Sequence, residues 1–372
     1  MASRFTPWPG TMTPRERFLN QMMYKPFDRC FNMEFGYWDE NYTEWRMFRE
    51  NGIRDEDQAN EFFAFDPYRC IGLDVWMHPG FPQDTWEEDG RKYKHDADGV
   101  LCEILPNGAS TIPHYLAPTV KTPEDWRRVK AERFRRDDPG RWASLDQLVS
   151  LYGGKGRDYP LGVNVGSMIG KIRDMLTMEG LCYALFDYPD MVEDMVETCC
   201  LLVEDALDRL LPHFQFDFAA SWEDICFKNG PLITLDFFEE VVVPRYRRIG
   251  DRLKAAGVSI WWCDCDGDVR PLVPGFLKGG INCLFPYEVQ GCTHPGELLD
   301  RYQGQLRIMG GFDKLKLGGG REAIRAYMKS LVPYVERGGF IPFCDHRCPP
   351  NVPEEDYLYY LDLKRDTFGM KA

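Results

Sequence analysis

No apolar run in the 372-residue sequence approaches the roughly 18 to 20 residues that a membrane-crossing helix needs, so a spanning segment of that kind is excluded. The opening "MASRFTPWPGTMTPRERFLNQ" lacks the basic end and apolar stretch of a secretion signal, and a cytoplasmic protein is expected. Positive charge is in short supply: 45 Lys and Arg stand against 59 Asp and Glu. A net charge of −14 argues against nucleic acid or an anionic membrane as partner. The one basic run, "RRVKAERFRRDDPGR", is interrupted by acids and reads as a solvated helix face. A disulfide framework is missing too. The 13 cysteines are odd in number, irregularly spaced and set in apolar segments such as "ETCCLLVEDAL", as reduced core thiols are. Low-complexity tracts, Pro/Ser linkers and repeats of about 20 to 50 residues are absent, so residues 1–372 read as a single domain. No G-x-G-x-x-G follows the first candidate strand, which removes the usual dinucleotide-binding reading.

What is present is alternation. "MTPRERFLNQMMYKPFD" reads as a first helix, opened by Thr13 with Pro14 at its first position. "RCFNMEFGYW" and "DVWMHPGFP" read as strands, and "WEEDGRKYKHDADGVLCEIL" carries the turn signals of a hairpin insertion. From Pro160 onward strands and helices take turns. The strands are "PLGVNVGSM", "FDFAASWEDI", "VSIWWCDCD", "NCLFPYEV", "LRIMGGFD" and "FIPFCDH". Such regularity implies parallel strands joined by crossover helices. The fold class expected is α/β: a distorted (β/α)8 TIM barrel with a small N-terminal helical extension and a hairpin insertion.

In a barrel the chemistry gathers at the C-terminal ends of the strands. Glu34, Glu223, Asp224, Asp264, Asp266, Glu288, Asp313, Lys314, Asp345 and His346 all fall at such ends. Carboxylates converging with one histidine suit a metal site or an acid-base site. In "SIWWCDCDGD" the strand alternation puts Trp262, Asp264 and Asp266 on one face and Trp261, Cys263 and Cys265 on the other. An unpaired acid under a helix is costly, whereas a cysteine packs there as a small hydrophobe, so the acids should face the barrel mouth. Cys263 and Cys265, with Cys344 or Cys348, remain an alternative thiolate set for zinc. The expected metal ligands are Asp264, Asp266 and His346, and the expected catalytic residues are Glu223, Asp266, Glu288 and His346. Glu34, Trp38, His78, Tyr287, Asp313 and Lys314 are expected to line the substrate pocket. Plainer readings stand beside these: Glu223 bracing a loop, Asp313 and Lys314 forming a local ion pair, His346 bonded to a carboxylate for structure alone.

The segments "TPRERFLNQMMYKPFDR", "GPLITLDFFEEVVVPRYRRI", "CDCDGDVRPLVPGFLKGGINCLFPYE", "GGFDKLKLGGGREAI" and "GGFIPFCDHRCPPNVPEEDYLYYLDLKR" together resemble the uroporphyrinogen decarboxylase superfamily. The resemblance implies a distorted (β/α)8 barrel. True decarboxylases of that family carry Arg-Gln-Ala-Gly-Arg after the first strand to hold substrate carboxylates. Here that position reads "MEFGYWDENYTEW", and Glu34, Asp39 and Glu40 would repel such a substrate. The likeness is therefore nearer to the corrinoid-dependent methyltransferases, in which His-x-Cys-Gly ends the fifth strand and a later Cys completes a zinc site. Aligned on Gly267, Asp264 and Asp266 take the His and Cys positions and His346 lies near the third. The resemblance implies Zn²⁺ or another divalent ion, a small methylated substrate, a corrinoid on a separate protein as methyl acceptor, and a homodimer; aromatic residues near the strand ends suit either a methoxylated aromatic or a methylamine-like substrate. A metal-free lyase or decarboxylase and a non-catalytic binding barrel are the alternatives.

Overall fold

The computed structural model describes residues 5–105, 114–154 and 156–369. In chain order the strands are β1 (Arg69–Ile71), β2 (Asp84–Glu88), β3 (Arg91–His95), β4 (Leu101–Ile104), β5 (His114–Ala117), β6 (Leu161–Asn164), β7 (Phe218–Trp222), β8 (Cys226–Phe227), β9 (Gly230–Pro231), β10 (Trp261–Asp264), β11 (Cys283–Tyr287), β12 (Arg307–Phe312) and β13 (Phe340–Cys344). Seven of them form one parallel sheet in the order β1-β6-β7-β10-β11-β12-β13. Helices such as Pro189–Leu210, Val243–Ala255 and Gly320–Arg337 occupy the crossovers that parallel strands require. None of the helices among the described residues is long and apolar enough to cross a membrane.

Strand alternation divides the core in two. Phe218, Ile260, Trp262, Cys283, Phe285, Met309, Ile341 and Phe343 fill the inside of the curved sheet, with Phe18 and Met22 of the helix Pro14–Met22 among them. The intervening residues, including Trp261, Cys263 and Leu284, pack outward against the helices. That first helix begins as its sequence predicts, with a Thr13–Glu16 capping box and Pro14 at its start. It also covers the N-terminal ends of β12 and β13: Gln21 donates to the Phe340 carbonyl at 2.7 Å, and the Met22 carbonyl accepts from Arg307 at 2.7 Å.

Three expectations need correction. The sheet has seven strands and its ladder does not close among the described residues. Residues 29–38, predicted as the first strand, form no ladder strand and lie between the two sheet edges, with Phe31 and Met33 in the inner core. Their links are sparse: the Asp66 N–H donates to the Asn32 carbonyl, Tyr37 bridges Cys348, and the Glu34 carboxylate accepts from the Cys344 N–H at 3.1 Å. A side chain thus stands in for part of the missing ladder. The predicted strand "DVWMHPGFP" is irregular, and the strand lies earlier, at β1. The predicted hairpin is larger, a four-stranded antiparallel sheet β2-β3-β4-β5.

Candidate metal centre

β7 and β10 run side by side with Trp222 opposite Asp264, and the ladder continues one residue further through the Glu223 N–H to the Asp264 carbonyl at 2.7 Å. Beyond that the chain turns. Asp224 adopts a positive φ of 44°, and its Oδ1 accepts from the Asp266 N–H at 2.9 Å. Gly267 has φ +82, and a Cβ there would stand 2.8 Å from the Cys226 carbonyl oxygen, so only glycine lets this turn lie against the β8-β9 hairpin.

The turn assembles two groups of donors that share Asp266. Single atoms of Asp224, Asp264 and Asp266 lie within 4.8 Å of one another, and so do those of Asp266, Glu288 and His346. His346 Nε2 is 3.4 Å from Asp266 Oδ2, while Asp266 Oδ1 is buried and accepts no hydrogen bond. The His346 ring stands edge-on to Phe35, centroids 5.4 Å apart. Burial, reinforced by the Asp224 and Asp266 charges, holds the Asp264 carboxyl well above the ordinary carboxylate range, against the pull of Arg347. Burial and the neighbouring Asp266 push Asp224 up to about 6. Crowded acids of this kind favour a proton or a cation between them.

The predicted ligand set is regrouped. Asp264 and His346 fall into different groups, joined through Asp266, and Glu288 takes the place beside His346. Glu288 also accepts from Lys314 Nζ at 3.0 Å and from the Gly267 N–H at 3.2 Å. Two carboxylates and an imidazole are a fitting donor set for Zn²⁺ or a harder divalent ion, and the unpartnered Asp266 oxygen gives such an ion an acceptor no protein group uses. Sulfur is not part of it. Cys263 and Cys265 lie in the outer core, and Cys344 and Cys348 do likewise. Burial drives the Cys263 thiol far up. Cys265 and Cys344 are driven up by hydrogen bonds to Cys226 and Cys348, and by burial.

Other predicted residues stand away from the cluster. Glu223, expected to be catalytic, is fully buried and accepts five hydrogen bonds: from Ser167 Oγ, the N–H groups of Met168, Ile169 and Gly170, and the Tyr246 hydroxyl. It caps the helix Gly170–Leu176, and its neighbour Asp224 takes the mouth position instead. Glu34, expected in the pocket, faces outward, bonded to Tyr360 at 2.9 Å and Lys364 at 2.8 Å. A bulge between Leu284 and Tyr287 resets the alternation of β11, and Tyr287 joins the outer core. Asp313 caps the short helix Lys314–Leu317. His78 pairs with Asp74 at 2.8 Å beside residues 138–140, and Trp38 is half-buried at the start of the helix Asp39–Glu44. Lys314 alone of the expected pocket residues reaches the cluster. Asp224 was visible as a strand-end acid, and Arg347 as the neighbour of His346, but no spacing signal singled either out.

The chain is similar in fold to a solved structure of a methyltransferase from Methanosarcina mazei, with a TM-score of 0.59 and 14% identity over 95% of this chain and 98% of that one. This likeness establishes the shared fold. No protein-family model and no curated protein matches the sequence.

Proposed function

We propose that this protein is a metal-dependent methyltransferase that moves a methyl group from a small methylated substrate to a corrinoid acceptor. The observation that carries the reading is Asp266, shared by two donor groups at the strand ends with one oxygen lacking any protein partner. The fold likeness to a methyltransferase and the resemblance of "CDCDGD" to that superfamily's ligand segment support it; the corrinoid and its carrier protein rest on the resemblance alone. Asp266, Glu288 and His346 would hold a divalent cation, with Asp264 adjacent. A cation there supplies Lewis acidity toward the heteroatom bearing the methyl group. Asp224, raised to about 6, is protonated in only a minor fraction of molecules at neutral pH, far more than an ordinary aspartate, and that fraction can give its proton to the heteroatom left behind when its bond to carbon breaks. Phe35 fixes the His346 ring edge-on, and Lys314 orients Glu288.

The test is metal content of protein purified without chelator, paired with methyl transfer to free cob(I)alamin. Stoichiometric metal, lost in Asp266→Asn and His346→Ala, is expected. Full methyl transfer by metal-free protein would overturn the metal dependence, and metal-free protein with no methyl transfer would overturn the reading in favour of a lyase or decarboxylase, which the raised Asp264 and Asp224 would serve as proton donors.

A further inference from the structure

At the C-terminal ends of β1, β6 and β7 the fold forms a solvent-open cavity of about 450 Å³, lined by Trp76, Asn164, Lys171 and Trp222 among others. Trp222 faces Asp264 across the β7-β10 pair, so the cavity stands one strand spacing from the donor cluster. Two indoles supply apolar wall. Trp76 is held in place by its ring N–H, which donates to Asp98 at 2.8 Å.

Two donors in this lining have capacity left. Lys171 Nζ lies 5.9 Å from the Trp222 ring centroid and forms an ion pair with Asp98 Oδ2 at 3.6 Å, a contact longer than a hydrogen bond that leaves its ammonium N–H groups free to donate. Asn164 uses its Oδ1 to accept from the Gly166 N–H at 2.8 Å, which leaves its amide N–H₂ to donate outward. The one lining carboxylate, Asp74, is already engaged by His78 at 2.8 Å and Arg141 at 3.6 Å. A cationic ligand would meet Lys171 as a like charge, and the Trp222 ring already carries the Arg173 guanidinium 5.2 Å from its centroid. An anion meets the reverse: an ammonium and an amide donor above aromatic wall.

We propose that this cavity is the substrate pocket and takes an aromatic ring bearing a carboxylate, with Lys171 and Asn164 donating to the carboxylate and Trp76 and Trp222 flanking the ring. The inference rests on the methyltransferase reading for the meaning of the site, and it narrows the methyl donor to methoxylated aromatic acids over methylated amines. A charge-assisted contact of this kind is worth roughly tenfold or more in affinity.

The experiment is calorimetric titration of the full chain with 4-methoxybenzoate, the uncharged 4-methoxybenzamide, 4-methoxybenzyl-trimethylammonium, and benzoate, which has no methyl group to lose. The two carboxylates should bind at least about tenfold tighter than the amide and the cation. Lys171→Met should abolish that preference, Lys171→Arg should keep it, and Asn164→Ala should weaken carboxylate binding alone, with metal content unchanged in all three. Equal binding of all four compounds, no binding of either carboxylate, or an undiminished preference in Lys171→Met would overturn the proposal. The two readings fail separately. Benzoate binding without methyl transfer from any donor sinks the methyltransferase and leaves the pocket, whereas methyl transfer from donors without a carboxylate, with no benzoate binding, sinks the pocket and leaves the methyltransferase.

Discussion

Glu223→Gln separates bracing from chemistry at the acid pair that ends β7. Its two oxygens divide five donors: Oε2 serves Ser167 Oγ, Ile169 N and Gly170 N, and Oε1 serves Met168 N and the Tyr246 hydroxyl. A glutamine keeps its carbonyl at the Oε2 position and turns an N–H₂ group toward Met168 and Tyr246. The tyrosine hydroxyl can rotate to accept. The Met168 N–H cannot, and one buried donor left unpaired costs about 1 to 3 kcal/mol. The remaining bonds lose their charge assistance, which roughly halves their strength. Together the loss is about 3 to 5 kcal/mol, a large share of the roughly 5 to 15 kcal/mol that holds a typical fold. Urea denaturation followed by circular dichroism should report it, while metal affinity stays at the wild-type level because Glu223 belongs to neither donor group. A variant with unfolding free energy within about 0.5 kcal/mol of wild type, yet with metal binding or turnover lost, would refute the bracing role and return Glu223 to the catalytic set.

Three further outcomes follow from the same reasoning. Asp28 is held at about 2, because hydrogen bonds from Arg17 and the Met12 and Thr11 N–H groups outweigh the upward push of burial. Its folded pKa lies below its unfolded one, so its contribution of roughly 2 kcal/mol is present above about pH 4 and lost as pH falls toward 2; Asp28→Asn should flatten that acid limb in a stability-versus-pH series. Lys364→Met leaves the buried Glu34 carboxylate without its 2.8 Å partner and should cost about 3 to 5 kcal/mol, largely recovered in the Glu34→Gln/Lys364→Met double variant; a double variant as unstable as the single would count against the pairing. Trp262 stacks on Phe218 at 4.0 Å and on Phe285 at 5.4 Å on the inner face of the sheet, so Trp262→Ala should lower the unfolding free energy by about 3 to 5 kcal/mol with the metal donors still in place.

The alternation of strands and helices after Pro160 was legible because each segment carries its own periodicity, and the inward and outward faces of β10 followed from the same local rule: Trp262 lies inside, and Trp261 and Cys263 lie under the helices. The first stave was half legible. Its apolar residues read as a strand, and Phe31 and Met33 do lie in the inner core, but a ladder needs a partner edge at the right spacing, and residues 29–38 meet theirs through side chains and isolated contacts. The insertion was underestimated because the segment read as a hairpin, with Asp89-Gly90 and Asp98-Gly99 at its turns, covers β2, β3 and β4 but stops short of β5.

The site shows where a local rule ends. Sequence by itself determined that acids and a histidine crowd the ends of parallel strands, since hydrophobic periodicity places those ends. Only the tertiary structure decided which of them meet. The positive φ of Asp224 brings it, and not Glu223, to Asp266; the bulge in β11 sends Tyr287 outward; a bend at residues 345–347 buries Asp345 and delivers His346 to the cluster. Side-chain direction is dictated by alternation only while the backbone stays extended and hydrogen-bonded to its neighbours. Past the last rung it depends on which distant N–H groups and carboxylates are waiting, and those come from other parts of the chain.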